Sequence, residues 1–148
     1  MNKFIEKFSL KGKKALITGG SRGIGSAISK VLADAGADII ITGRDQKGLD
    51  STQKSIKEAG GECLTIKADL SIEQEAREVG MKAIECYETI DILVNNAGIT
   101  LLDDILNTSE NDWEKVQSVN LKAPFIIAKT LVPKMIKQRN GKVINISS

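Results

Sequence analysis

The chain has 148 residues, 41% hydrophobic and 27% charged, an ordinary globular composition with enough length for one substantial core. Its 21 basic and 19 acidic side chains are interspersed and sum to +2, which gives no extended basic field for nucleic acid or anionic lipid. Histidine is absent, and with it Ser-His-Asp catalysis, imidazole general bases and histidine-based zinc sites.

In chain order, the stretch from Met1 to Phe8 carries Glu6 and no apolar run of signal-peptide length. No apolar run anywhere approaches the roughly 20 residues that span a bilayer. The cluster Lys11, Lys13 and Lys14 reads as a solvated loop, although a buried strand is expected from about Lys13 to Thr18. Thr18-Gly-Gly-Ser-Arg-Gly-Ile-Gly25 follows that strand, and a helix with apolar Ile24, Ala27, Ile28, Val31 and Leu32 at helical spacing runs to Ala35. Strand, glycine turn and helix form one unit suited to a diphosphate. Glycines let the backbone approach an anion closely, and the first helical amides point unpaired N–H groups at it.

Ile39 to Thr42 is a second strand, and Asp45 caps a helix that runs to about Ala59 before Gly60-Gly61. Cys63 to Ile66 is a third strand, followed by Ser71 as the N-cap of a helix to about Glu88, with Glu73 and Gln74 in its first turn. Cys63 and Cys86 lack metal-site spacing, so no metal site, reduced thiols and a cytoplasmic address are expected. Ile92 to Val94 is the fourth strand. A loop from Gly98 to Thr108 leads to Ser109, which caps one long helix through Trp113, Val116, Val119, Phe125, Ile126 and Leu131. Val143 to Ile146 is the fifth strand. This alternation predicts a parallel sheet covered on both faces, with ligand motifs at the carboxyl ends of the strands.

Four polar motifs fall at such places: the glycine turn, Asp69 in Ala68-Asp69-Leu70, Asn95-Asn96-Ala97-Gly98, and Asn145-Ile146-Ser147-Ser148. With Asn120 in the long helix, their order resembles the short-chain dehydrogenase/reductase family over the whole chain. The resemblance implies an α/β Rossmann-type doubly wound parallel sheet with five strands present and the carboxyl-terminal strands and helices missing. Residues 1–148 are then a dinucleotide-binding domain, the amino-terminal portion of a longer single-domain enzyme. It implies a hydride transfer between a nicotinamide and a carbonyl or secondary alcohol. Thr18, Gly19, Ser21, Arg22, Gly23, Ile24 and Gly25 would hold the coenzyme diphosphate and ribose, Asp69 the adenine amino group, and Asn95, Ala97 and Gly98 the nicotinamide side. Asn120 would hold a relay water, and Ser148 would orient the substrate oxygen.

Coenzyme choice follows from charge. An acidic side chain ending the second strand would accept from the ribose 2′-hydroxyl of NAD, but here Gly43 and Arg44 stand there. Arg22 and Arg44 suit a 2′-phosphate by fork geometry, so NADP is expected in preference to NAD. The same positions offer no carboxylate for the ribose of S-adenosylmethionine, which argues against a methyltransferase.

The family's catalytic pair is a Tyr followed four residues later by Lys. The only tyrosine here is Tyr87, with Asp91 four residues on, so the pair is expected beyond residue 148 and this chain alone is expected to be inactive. The fifth strand would then be an unpaired apolar edge. The glycine turn with Arg22 is most like that of 3-oxoacyl-carrier-protein reductases. Sugar-acid and other alcohol dehydrogenases share this front half, and a non-catalytic nucleotide-binding module is the reading from another class. Relatives are mostly dimers or tetramers, which makes a homo-oligomer the expectation.

Overall fold

A computed structural model describes residues 7–101 and 104–147. The chain alternates β1 (Lys14–Thr18), α1 (Gly23–Asp34), β2 (Asp38–Gly43), α2 (Gln46–Glu58), β3 (Cys63–Lys67), α3 (Glu73–Tyr87) and β4 (Ile92–Asn95). After a long loop come α4 (Glu110–Gln117), a π turn (Ser118–Lys122), α5 (Ala123–Lys137) and β5 (Lys142–Asn145). All strand pairs are parallel and the order is β3-β2-β1-β4-β5. This is the doubly wound α/β architecture that the alternation predicts.

The strands read as continuous apolar runs because both faces are covered. Period two sorts them: Leu16, Ile40 and Leu93 face one layer with Val79, Ala83, Ile127 and Leu131 from α3 and α5. Ala15, Ile17, Ile39, Ile41 and Val94 face the other with Ala33, Leu49 and Ile56 from α1 and α2. β5 differs, since all four of its residues are exposed and Val143 and Ile144 have no layer against them. Among the described residues it is one of the sheet's two edge strands, with β3 at the other edge, and pairs with β4 alone.

Three expectations need correction. Of the three lysines read as a solvated loop, Lys11 lies in an exposed turn as expected and Lys13 precedes the strand, pairing with Asp91 at 3.4 Å, but Lys14 opens β1 and pairs with Asp38. Paired lysines can lie half-buried at the amino ends of the strands because their charge is balanced there. Second, Ser71 is not a helix cap. Its backbone N–H and its hydroxyl both donate to Asp69 Oδ1, at 2.9 and 2.7 Å, and α3 starts two residues later. The cap position falls on Ile72, one residue too late for Ser71, whose side chain closes a turn onto Asp69 instead. Glu75 in turn accepts from the Asp69 N–H at 2.7 Å.

Third, the long helix is broken. Ser109 caps α4 as expected, accepting from Asp112 N at 3.1 Å, but directly after Gln117 the ladder widens to a π turn centred on Asn120. Pro124 supplies the reason. It lacks the N–H that an α-helix would aim at the Asn120 carbonyl, so the regular ladder fails there. The inserted residue turns the apolar stripe by about 100°. Ile126, Ile127 and Leu131 are thereby buried while Leu121 and Phe125 stay exposed.

Candidate functional site

The strand order reverses between β1 and β4, the place where an open parallel sheet leaves a crevice at its carboxyl ends. A cleft of about 730 Å³ opens there. Gly19, Ser21, Arg22, Gly23 and Ile24 of the glycine turn line one wall, and Gly43, Arg44 and Asp45 continue it past β2. Ala68, Asp69 and Leu70 after β3 close one end, and Asn96, Ala97, Gly98, Ile99 and Val119 form the other side.

The amino terminus of α1 carries neither a side-chain cap nor an acidic side chain, a combination it shares with α2, whose cap position is Asp45. α4 is capped by Ser109, and both α3 and α4 carry acidic side chains in the first turn. α1 has Arg22 at the cap position, no side-chain cap bond and no acidic residue in the first turn. Its leading amides therefore face the cleft with a positive dipole end and no protein carboxylate to neutralise it. The turn requires glycine by conformation at Gly19 and Gly23, whose φ values are 69° and 54°, and a Cβ at Gly23 would meet nothing within 4 Å.

Asp69 is held as an anion. Burial works to raise its pKa, but the two bonds from Ser71 and the nearby charges of Arg44 and Lys115 outweigh it and hold the carboxyl below its usual range. Both Ser71 bonds fall on Oδ1. Asp45, beside Arg44, turns Oδ2 onto the first turn of α2, 2.8 Å from where a Cβ of Gly48 would stand.

Beyond the cleft lining, Asn120 spends its side chain on the loop after β4. Nδ2 donates to the Ile99 carbonyl and Oδ1 accepts from the Ile99 N–H, both at 2.9 Å. The π turn brings this amide to the loop. A water held at this position would therefore not be held by a free Asn120 side chain.

Tyr87 lies at the opposite end of the sheet. Lys14 sits 4.8 Å from its ring centroid, and Lys14 and Asp38 both open their strands. Burial, then the Asp38 charge, pushes its phenol up to about 12. Neither position nor acidity suits Tyr87 to proton transfer in the cleft.

The family model for short chain dehydrogenases matches residues 13–148. The chain belongs to the short-chain dehydrogenase family. A 3-oxoacyl-[acyl-carrier-protein] reductase of Thermotoga maritima is 40% identical over 139 residues, which are 94% of this chain and 56% of the relative. A gluconate 5-dehydrogenase of Gluconobacter oxydans is 39% identical over 142 residues, 95% of this chain and 55% of the relative. The crystal structure of a 3-oxoacyl (acyl-carrier-protein) reductase from Agrobacterium tumefaciens with NADP bound has a TM-score of 0.93 at 33% identity, covering 99% of this chain and 57% of that one. A metagenomic short-chain oxidoreductase in complex with NADP gives 0.90 at 36%, covering 94% and 63%. This short-chain dehydrogenase chain spans about half the length of the curated relatives it matches.

Of the residues expected to bind a coenzyme, Gly19, Ser21, Arg22, Gly23, Ile24, Arg44, Asp69, Ala97 and Gly98 line the cleft. Thr18, Gly25 and Asn95 are buried behind it. Thr18 Oγ1 accepts from the backbone N–H groups of Asn96 and Ala97, both at 3.0 Å, and Asn95 Nδ2 donates to Asn145 Oδ1 at 2.9 Å. Their work in this short-chain dehydrogenase is to tie strand ends together. Ser148 lies outside the described residues. Sequence reasoning passed over Asn96, Asp45, Ile99 and Val119 as lining residues; Asn96 sits inside a quoted motif, whereas Val119 carries no signal apart from its neighbour Asn120.

Proposed function

We propose that these residues form the NADP-binding part of an oxidoreductase that moves hydride between a nicotinamide and a carbonyl or secondary alcohol. The observation that carries this reading is the cleft wall in which an uncapped, acid-free helix start is flanked by Arg22 and Arg44. The donor set fits a dinucleotide carrying a 2′-phosphate. The amides of Gly23 and Ile24 bind the diphosphate, and Arg22 and Arg44 present planar donors to the 2′-phosphate. Asp69 accepts from the adenine amino group through Oδ2, which Ser71 leaves unused. Ala97 and Gly98 give the nicotinamide side a close, small-residue wall, and the Asn120 clamp on Ile99 holds that wall in place. When bound, the coenzyme supplies the hydride.

The reaction also needs a proton at the substrate oxygen, and Tyr87 is remote from the cleft. In this reading the proton donor and its lysine come from polypeptide beyond this sequence, which would also pair the open edge of β5, and Ser148 orients the substrate there. The substrate class favoured by the relatives' names is a 3-oxoacyl thioester on carrier protein. A sugar acid or another alcohol is the alternative within the family. A cytoplasmic dimer or tetramer is part of the proposal, supported by the exposed Leu121, Phe125 and Ile136 along the π turn and α5.

The test is calorimetric titration of the full-length protein with NADP and NAD, followed by the same titration of Arg44→Asp. NADP should bind the unaltered protein more tightly than NAD does. Loss of charge-assisted bonds plus charge reversal in the variant should weaken NADP by about 100-fold and leave NAD unweakened. Tighter NAD binding together with an unmoved NADP affinity in the variant refutes the assignment. A carbonyl screen with the same protein and NADPH separates an enzyme from a non-catalytic nucleotide-binding module, which would bind the coenzyme and oxidise no NADPH.

A further inference from the structure

Two glycines of the turn, Gly19 in the cleft wall and Gly25 behind it, also face the residue that follows β4. A Cβ at Gly19 would stand 2.9 Å from the Ala97 Cα and 2.9 Å from Asn96 Nδ2. A Cβ at Gly25 would overlap the Gly19 carbonyl and stand 2.5 Å from the same Nδ2. At both glycines the side-chain amide of Asn96 takes up part of the space a Cβ would need, beside the Ala97 backbone at Gly19 and the Gly19 carbonyl at Gly25. That amide donates to the carbonyl of Thr18 at 3.0 Å and to the carbonyl of Gly19 at 3.4 Å. The backbone N–H of Asn96 is fixed at the same time by Thr18 Oγ1, at 3.0 Å. One residue after β4 thus grips the end of β1 through both its backbone and its side chain.

We infer that Asn96 is a positioning residue for coenzyme binding: its amide sets the path of the glycine turn, in which Gly19 holds a φ of 69° and neither Gly19 nor Gly25 leaves room for a Cβ beside that amide. Two consecutive carbonyls aimed at one NH₂ group fix the plane of the Thr18–Gly19 segment, and with it the direction in which the chain enters α1. The first amides of α1 then point into the cleft without help from any ligand, so little ordering entropy is lost when a diphosphate arrives. The inference rests on the coenzyme reading above. It adds the claim that the diphosphate grip is set from the β4 side, by a residue that need not touch the diphosphate.

The claim separates two parts of the coenzyme. Asn96 should matter for the diphosphate, whereas the 2′-phosphate end belongs to Arg44. In the full-length protein, Asn96→Ala should weaken NADP about ten-fold or more, and Asn96→Asp, which sets a carboxylate oxygen against the two carbonyls, should weaken it further. Adenosine 2′-monophosphate, which lacks the 5′-linked diphosphate, should bind both variants within two-fold of the unaltered protein. Its retained binding also reports that the variants are folded. Arg44→Ala should weaken both ligands. Equal losses for NADP and adenosine 2′-monophosphate in the Asn96 variants, or an unchanged NADP affinity, overturn the inference while the coenzyme reading stands. An unaltered protein that binds neither ligand overturns the coenzyme reading and this inference with it.

Discussion

Replacing Gly25 by alanine adds one methyl group where the structure leaves no volume for it. The ideal Cβ overlaps the Gly19 carbonyl oxygen, lies 2.8 Å from that carbonyl's carbon and 2.5 Å from Asn96 Nδ2. Two of these atoms are backbone, and the third belongs to an amide already bonded to Thr18 and Gly19, so no rotamer change relieves the overlap. Overpacking a rigid buried site costs about 1–3 kcal/mol. Displacing the Asn96 amide adds the loss of a hydrogen bond, about 1 kcal/mol. The sum, about 3 kcal/mol, corresponds to a fall in Tm of about 10 °C for a chain of this size. Gly23→Ala is the control: its added Cβ meets nothing within 4 Å, and only the positive φ of 54° is penalised, at about 1–2 kcal/mol. Urea unfolding of the two variants beside the unaltered protein measures both quantities. A Gly25→Ala protein within 1 kcal/mol of the unaltered one, or one more stable than Gly23→Ala, would refute the packing argument.

Asp69 has a lowered pKa, so its stabilising contribution is present above the ordinary carboxylate value of about 4 and is lost as pH falls through the lower folded value. Urea midpoints of the unaltered protein and Asp69→Asn, followed from pH 6 to pH 3, should converge toward the acid end; parallel curves would contradict this. Glu88 holds φ at 60° in a tight turn where the Thr89 N–H donates to the Tyr87 carbonyl at 2.5 Å. Relieving that strain in Glu88→Gly should raise unfolding stability by about 1 kcal/mol, and a loss of stability would show that the Glu88 side chain contributes more than its backbone costs.

The nine elements expected from periodicity correspond to strands and helices at nearly the same positions, apart from the broken long helix, because buried parallel strands and amphipathic helices carry strong local signals. Ser71 and Asn120 show where such signals stop. A serine two residues before a helix looks like its cap, but the cap position is Ile72 and the Ser71 hydroxyl bonds Asp69 instead. The helical pattern from Trp113 to Leu131 hides an inserted residue because a one-residue phase shift leaves both halves apolar. Pro124 was the available warning, through its missing N–H. Within the cleft, the wall-forming residues Arg22, Arg44, Asp69 and Gly98 could be named from their motifs. Thr18, Gly25 and Asn95 belong to the same motifs but lie behind the wall, since a motif records what a place requires and not which atoms supply it.

What the sequence determined alone is the order of strands and helices, the absence of imidazole chemistry, and the basic character of the turn after β2. These depend on local periodicity and on residue identity, both of which are complete before the chain folds. Tertiary structure alone decided that Asn96 fills part of the space beside two glycines, that Asn120 clamps Ile99, and that Tyr87 stands at the wrong end of the sheet. Each depends on groups far apart in the chain, such as Asn96 and Thr18, which meet only when β1 and β4 pair.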